Sequence, residues 1–156
     1  MLHELLSSHS ELIPDARRAA NAVLASVSFA AVAESILDAL AEFGLDDLAA
    51  GPRASGYVEP SKAAWEAIEQ AVAPYLRDLE RRVKLKHEDE ATELCKGIVL
   101  GLYRAEQRGF ELLEYAEDCP SPLAAHAVNK WRRRRQETLP RAFVQKFTPD
   151  WDWLVH

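Results

Sequence analysis

Glu90 and Glu93 stand three residues apart, and Glu111 and Glu114 repeat that spacing, with Glu117 and Asp118 following. On a helix a spacing of three sets both carboxylates on one face. Two such faces meeting would offer hard oxygen ligands to magnesium, and magnesium can align a nucleotide phosphate for attack by water. The competing account of the same residues is solvated acid on helix surfaces, where Glu and Asp are common, and it implies no cofactor.

In spacing alone these pairs resemble the ExxE pairs of the all-α MazG-type nucleotide pyrophosphohydrolases. The resemblance covers fewer than thirty residues. That family's second motif also carries an aspartate three residues after its glutamate and a preceding lysine in register, and this chain has neither. What the resemblance implies is a magnesium-dependent enzyme acting through Glu90, Glu93, Glu111 and Glu114.

A second chemistry is suggested by Lys130-Trp131-Arg132-Arg133-Arg134-Arg135. Guanidinium groups pair with phosphates and an indole stacks on bases, so the run has the residue types of a nucleic-acid contact. Four consecutive arginines on a helix nevertheless spread over about 300° at 100° per residue and form no single stripe. The expectation is a solvated helix end, mostly exposed, paired in part with the acidic stretches 88–93 and 111–118.

His87 and Glu90 make a helical His-x-x-Glu pair, but the Glu-x-x-His pattern of di-iron bundles does not occur. Cys95 and Cys119 are 24 residues apart without CxxC spacing, which suits two free thiols in a reducing compartment better than a zinc site or a disulfide. The Cys119-Pro120 dipeptide terminates a helix. No glycine-rich phosphate loop, nucleophile elbow or dinucleotide fingerprint is found.

These residues must be held by helices. Alanine is abundant and β-branched residues are few, a bias towards helix because alanine loses no side-chain entropy there. One long helix is expected from Pro14 or Asp15 to about Phe43, stopped by Gly44, with Asn21, Ser28, Ser35 and Glu42 recurring every seven residues in a narrow polar stripe. Residues 45–59 read as a loop. A second helix starts near Ser61 and carries Trp65, Ile68, Val72, Tyr75, Leu76, Leu79 and Val83 at spacings of three and four, with Pro74 kinking or breaking it. The third follows His87, with acid in its first turns and Leu94, Ile98, Leu102 and Ala105 as its seam. Gly97 and Gly101 border that seam, which lets a neighbouring helix approach. A short helix over 110–118 and another from Ser121 to about Glu137 complete the pattern. The tail, about 138–156, holds Phe143, Phe147, Trp151 and Trp153, too much apolar surface to remain in water, so it straps across the bundle or docks on a partner.

A chain of 156 residues with 48% hydrophobic and 28% charged residues suits one globular domain. Its net charge is −6, yet residues 1–78 hold 5 basic against 12 acidic side chains and the remainder 14 against 13. An acidic protein is poorly steered to nucleic acid or anionic lipid unless it concentrates positive charge locally. No apolar run reaches membrane-spanning length, and Met1 to Ser10 lacks the features of a signal peptide.

The expectation is therefore an all-α single domain over 1–156, a bundle of about four main helices plus short ones, with the aromatic tail packed on it. We expect a cytoplasmic, non-enzymatic protein that acts by binding a protein partner or itself as a homo-oligomer. Gly97, Gly101, Phe143, Phe147, Trp151 and Trp153 are its interface candidates. The alternatives are the magnesium-dependent pyrophosphohydrolase-like enzyme and nucleic-acid binding through Lys130, Trp131, Arg132, Arg133, Arg134 and Arg135.

Overall fold

The computed structural model describes residues 27–43, 59–133 and 137–155. They form an all-α helical bundle. The helices are α1 (Phe29–Ala41), α2 (Pro60–Lys84), α3 (Glu88–Arg108), α4 (Glu111–Tyr115), α5 (Pro120–Arg132) and α6 (Arg141–Phe147), followed by a 3₁₀ turn at Asp152–Val155. Buried side chains from all six helices join one apolar cluster.

Helix α3 is the centre of the arrangement, packed against α1, α5 and α2. Leu94, Ile98, Leu102 and Ala105 are all buried, as their spacing requires. Glu88, Asp89 and Glu90 occupy the first turn, where negative charge complements the helix dipole. At the other end Gly109 adopts φ 62° and ψ 52°, a left-handed stop that a side chain would strain.

The helix expected from Pro14 or Asp15 onward does not include Ser28. Ser28 is extended, with φ −102° and ψ 126°, and α1 starts after it at Phe29. Ser26-Val27-Ser28 explains the break: two serines and a β-branched residue disfavour the helix interior, and serine favours the N-cap position. The earlier part of that helix, with Asn21, lies outside the described residues, as do Gly44 and the loop up to Val58.

Pro74 neither ends α2 nor opens a new helix. It lies on the exposed side, as does Gln70, whose carbonyl loses the proline's missing N–H. Water can satisfy that carbonyl, while Ile68, Val72 and Leu79 continue the buried stripe past it.

Helix α5 departs from expectation at both ends, starting at Pro120 with Cys119 at the N-cap and finishing at Arg132 rather than Glu137. The Arg132 Nε–H donates to the Glu137 carbonyl at 2.9 Å.

The tail straps the bundle. Phe29 at the start of α1 meets Phe143 and Phe147 edge-on at 5.6 and 5.3 Å between centroids. Trp151 meets Tyr103 of α3 at 5.3 Å, and the Tyr103 hydroxyl donates to Asp150 at 2.7 Å.

Candidate functional site

The two carboxylate pairs lie at opposite ends of α3. Glu90 and Glu93 occupy its first turns; Glu111 and Glu114 lie beyond Gly109 on α4. From Glu93 to Arg108 the helix rises about 22 Å at 1.5 Å per residue, so the pairs do not share a site. Glu93 accepts from Lys96 at 2.8 Å, and Glu90 stands 3.9 Å from His87. Among the described residues no group of three or more His, Cys, Asp or Glu side chains is arranged to hold a metal ion.

The basic run is divided. Trp131 is buried, and its ring belongs to the core rather than to a stacking surface. Lys130 is partly buried and Arg133 is exposed. The expectation of a mostly exposed run thus fails at Lys130, Trp131 and Arg132, because α5 packs on α2 and α3. Lys130 and Arg133 pair with Glu80 of α2, at 3.2 and 3.8 Å, a partner outside the two acidic stretches that were expected to supply one. Arg134 and Arg135 lie outside the described residues.

Gly97 and Gly101 face α1. A Cβ on Gly97 would stand 2.5 Å from the Val32 Cβ and 2.9 Å from the Phe29 carbonyl oxygen; on Gly101 it would stand 3.1 Å from the Ile36 Cβ. The close approach predicted for these glycines is thus used within the chain. Phe143 and Trp151 are buried by the strap, while Phe147 and Trp153 are partly covered.

A surface that the sequence reading did not single out lies at the C-terminal end of α2. There Arg77, Glu80, Arg81, Lys84 and Leu85 line an open hollow of about 290 Å³. Leu85 is 57% exposed. The local backbone explains it. The Lys86 N–H bonds to the Val83 carbonyl and the His87 N–H to the Arg82 carbonyl, with Lys86 at φ 60°. This is a Schellman turn, and it reverses the chain so tightly that the cap residue, Leu85, is left outside the core.

Positive charge surrounds that leucine. Residues 77–86 hold five basic and two acidic side chains, and Lys130, Arg132 and Arg133 end α5 nearby. Asp78 is shared by Arg81 at 2.6 Å and Arg82 at 2.9 Å. Glu80 is shared by Lys130, Lys84 at 3.5 Å and Arg133. The hydrogen bond from Lys130, then its charge and that of Lys84, hold the Glu80 carboxyl below its ordinary range. Among the described residues Arg77 and Lys86 have no acidic partner. The signal for this site was present in the sequence as a leucine between two lysines at the end of an apolar period.

The two thiols are core groups. Cys95 and Cys119 are free and buried, and desolvation pushes each up to about 12, so both are protonated and poor nucleophiles at neutral pH.

Comparison of the chain with protein families, with curated proteins and with solved structures finds no match. No helix among the described residues is long and apolar enough to cross a membrane.

Proposed function

We propose that this chain is a cytoplasmic, non-enzymatic helical bundle that works by binding a protein, and that the hollow at the end of α2 receives an acidic surface of that partner. The observation that carries the reading is Leu85, an apolar side chain presented to solvent inside a mainly basic rim of Arg77, Arg81 and Lys84 with Glu80. Such a combination matches protein interfaces, in which an apolar centre provides affinity and the charged rim provides steering and selectivity. A phosphate chain would use the cations but would leave Leu85 without a partner, and Trp131, which would have stacked on a base, is enclosed.

The test is a fluorescence titration with a labelled glutamate-rich peptide carrying one central aromatic residue. Binding that weakens with salt, and falls at least about tenfold in the Arg77→Glu/Arg81→Glu double variant, supports the reading. Equal binding of a lysine-rich peptide, or an unchanged affinity in the double variant, overturns it. Tighter and salt-steep binding of a single-stranded oligonucleotide would instead favour the nucleic-acid alternative.

A further inference from the structure

Among the described residues the exposed large hydrophobic side chains are Leu85 and Tyr115. Their surroundings have opposite sign. Tyr115, 42% exposed, ends α4 among Glu111, Glu114, Glu117 and Asp118, all exposed. Among the described residues none of these four carboxylates has a basic partner. At the other surface Arg77 and Lys86 lack acidic partners among the described residues, so each surface carries charge that the other would neutralise. Glu88 and Asp89 lie near Leu85 as well, in the first turn of α3, where the helix dipole stabilises them.

The two surfaces cannot meet within one molecule. Leu85 precedes α3 by three residues and Tyr115 follows its last residue by seven, and α3 spans about 30 Å. The other helices fix the same polarity. The charge of Glu69 acts on Cys119 at the start of α5, whereas Lys130 at its end bonds to Glu80, so α5 runs parallel to α2. Helix α4, just before α5, also packs on α2.

We infer that copies of this chain associate head to tail, the hollow around Leu85 of one copy receiving α4 and Tyr115 of the next. The inference rests on the reading of that hollow as a protein-docking surface and names a second copy as the occupant. Arg77, Arg81 and Lys84 then face Glu111, Glu114 and Glu117 across the contact, with the leucine and the tyrosine ring at its centre. Unlike surfaces meeting in this way make a heterologous contact, which propagates into rings or open chains rather than stopping at a two-fold dimer. A contact built on one short helix is small, so the association is weak and sensitive to salt.

The experiment is sedimentation velocity on the full chain, from micromolar to about millimolar concentration, at low and at high salt. The result expected is a concentration-dependent series of oligomers that shrinks when salt is raised. Leu85→Glu and Tyr115→Lys should each weaken self-association at least about tenfold, because each places a like charge in the contact. Mixed one to one, the two variants should associate again, since one retains an intact acidic surface and the other an intact basic one. Circular dichroism checks that both remain folded. A wild-type chain that stays monomeric at low salt overturns the inference, as does association unaltered by either variant or a mixture that stays monomeric. If a monomeric chain still binds the acidic peptide, only the identity of the partner is wrong; if it does neither, the docking surface itself is wrong.

Discussion

The indole N–H of Trp131 donates to the Thr92 hydroxyl at 3.1 Å, and that hydroxyl donates in turn to the Glu88 carbonyl at 2.8 Å. The pair ties the end of α5 to the first turns of α3 and gives the buried ring's polar atom its partner. Thr92→Val keeps the shape and removes the acceptor, so it should cost about 1–3 kcal/mol, the penalty for an unsatisfied buried donor. A lower denaturation midpoint with an unchanged slope is the expected result; no shift would mean that water replaces the hydroxyl.

Gly97→Ala and Gly101→Ala should differ. Alanine gains about 1 kcal/mol of helix propensity over glycine at either position. At Gly97 the new methyl would press on the Val32 Cβ and on the Phe29 backbone, neither of which is a flexible chain end, and overpacking costs about 1–3 kcal/mol. Crowding should win there. At Gly101 contacts begin at 3.1 Å, so the two effects should nearly cancel. Thermal melts of the two variants check the order.

Removing the tail after Pro140 should lower the melting temperature or cause aggregation. Trp151 and Phe143 are buried, and truncating a buried aromatic to alanine costs about 3–5 kcal/mol. Trp151→Ala should therefore lose stability in that range, and tryptophan emission of the intact protein should be blue-shifted relative to water.

Alkaline pH should destabilise the fold. Cys95 and Cys119 rise from 9.0 to about 12 on folding. A raised folded value means that stability is intact below the unfolded value and is lost as pH climbs from about 9 towards 12. Tyr103 acts in the same direction at higher pH, because its hydrogen bond to Asp150 favours the protonated phenol. Chemical unfolding at pH 8, 9 and 10 should show a progressive fall above 9, and Asp150→Asn should return the Tyr103 ultraviolet titration towards the ordinary tyrosine value. Alkylation of either thiol should proceed only as fast as the chain opens.

The limits of α3 were readable because independent signals agreed: acid in the first turn, an apolar seam at Leu94 to Ala105, and glycine at the end. The break at Ser28 was harder to read, since the apolar period runs through it and only local backbone preference marks the stop. The basic run misled in another way. Its charge drew attention to the arginines, while burial on α2 and α3 turned Trp131 into core, a tertiary effect that residue types alone do not carry. Leu85 is not marked by the sequence pattern because it stands outside the apolar period of α2, and its exposure follows from a left-handed lysine where glycine is the usual signal.

The clasp of Phe29 by Phe143 and Phe147 sets an order on biogenesis. More than a hundred residues separate the two sides of that contact, so Phe29 is synthesised long before its partners. While the ribosome still holds the tail, α2, α3 and α5 can already pack, but the ends of α1 and α3 stay uncovered and show Phe29 and Tyr103 to the surroundings. Nascent chains would expose that seam until residues 143–151 have emerged, which makes it a place where a chaperone would bind.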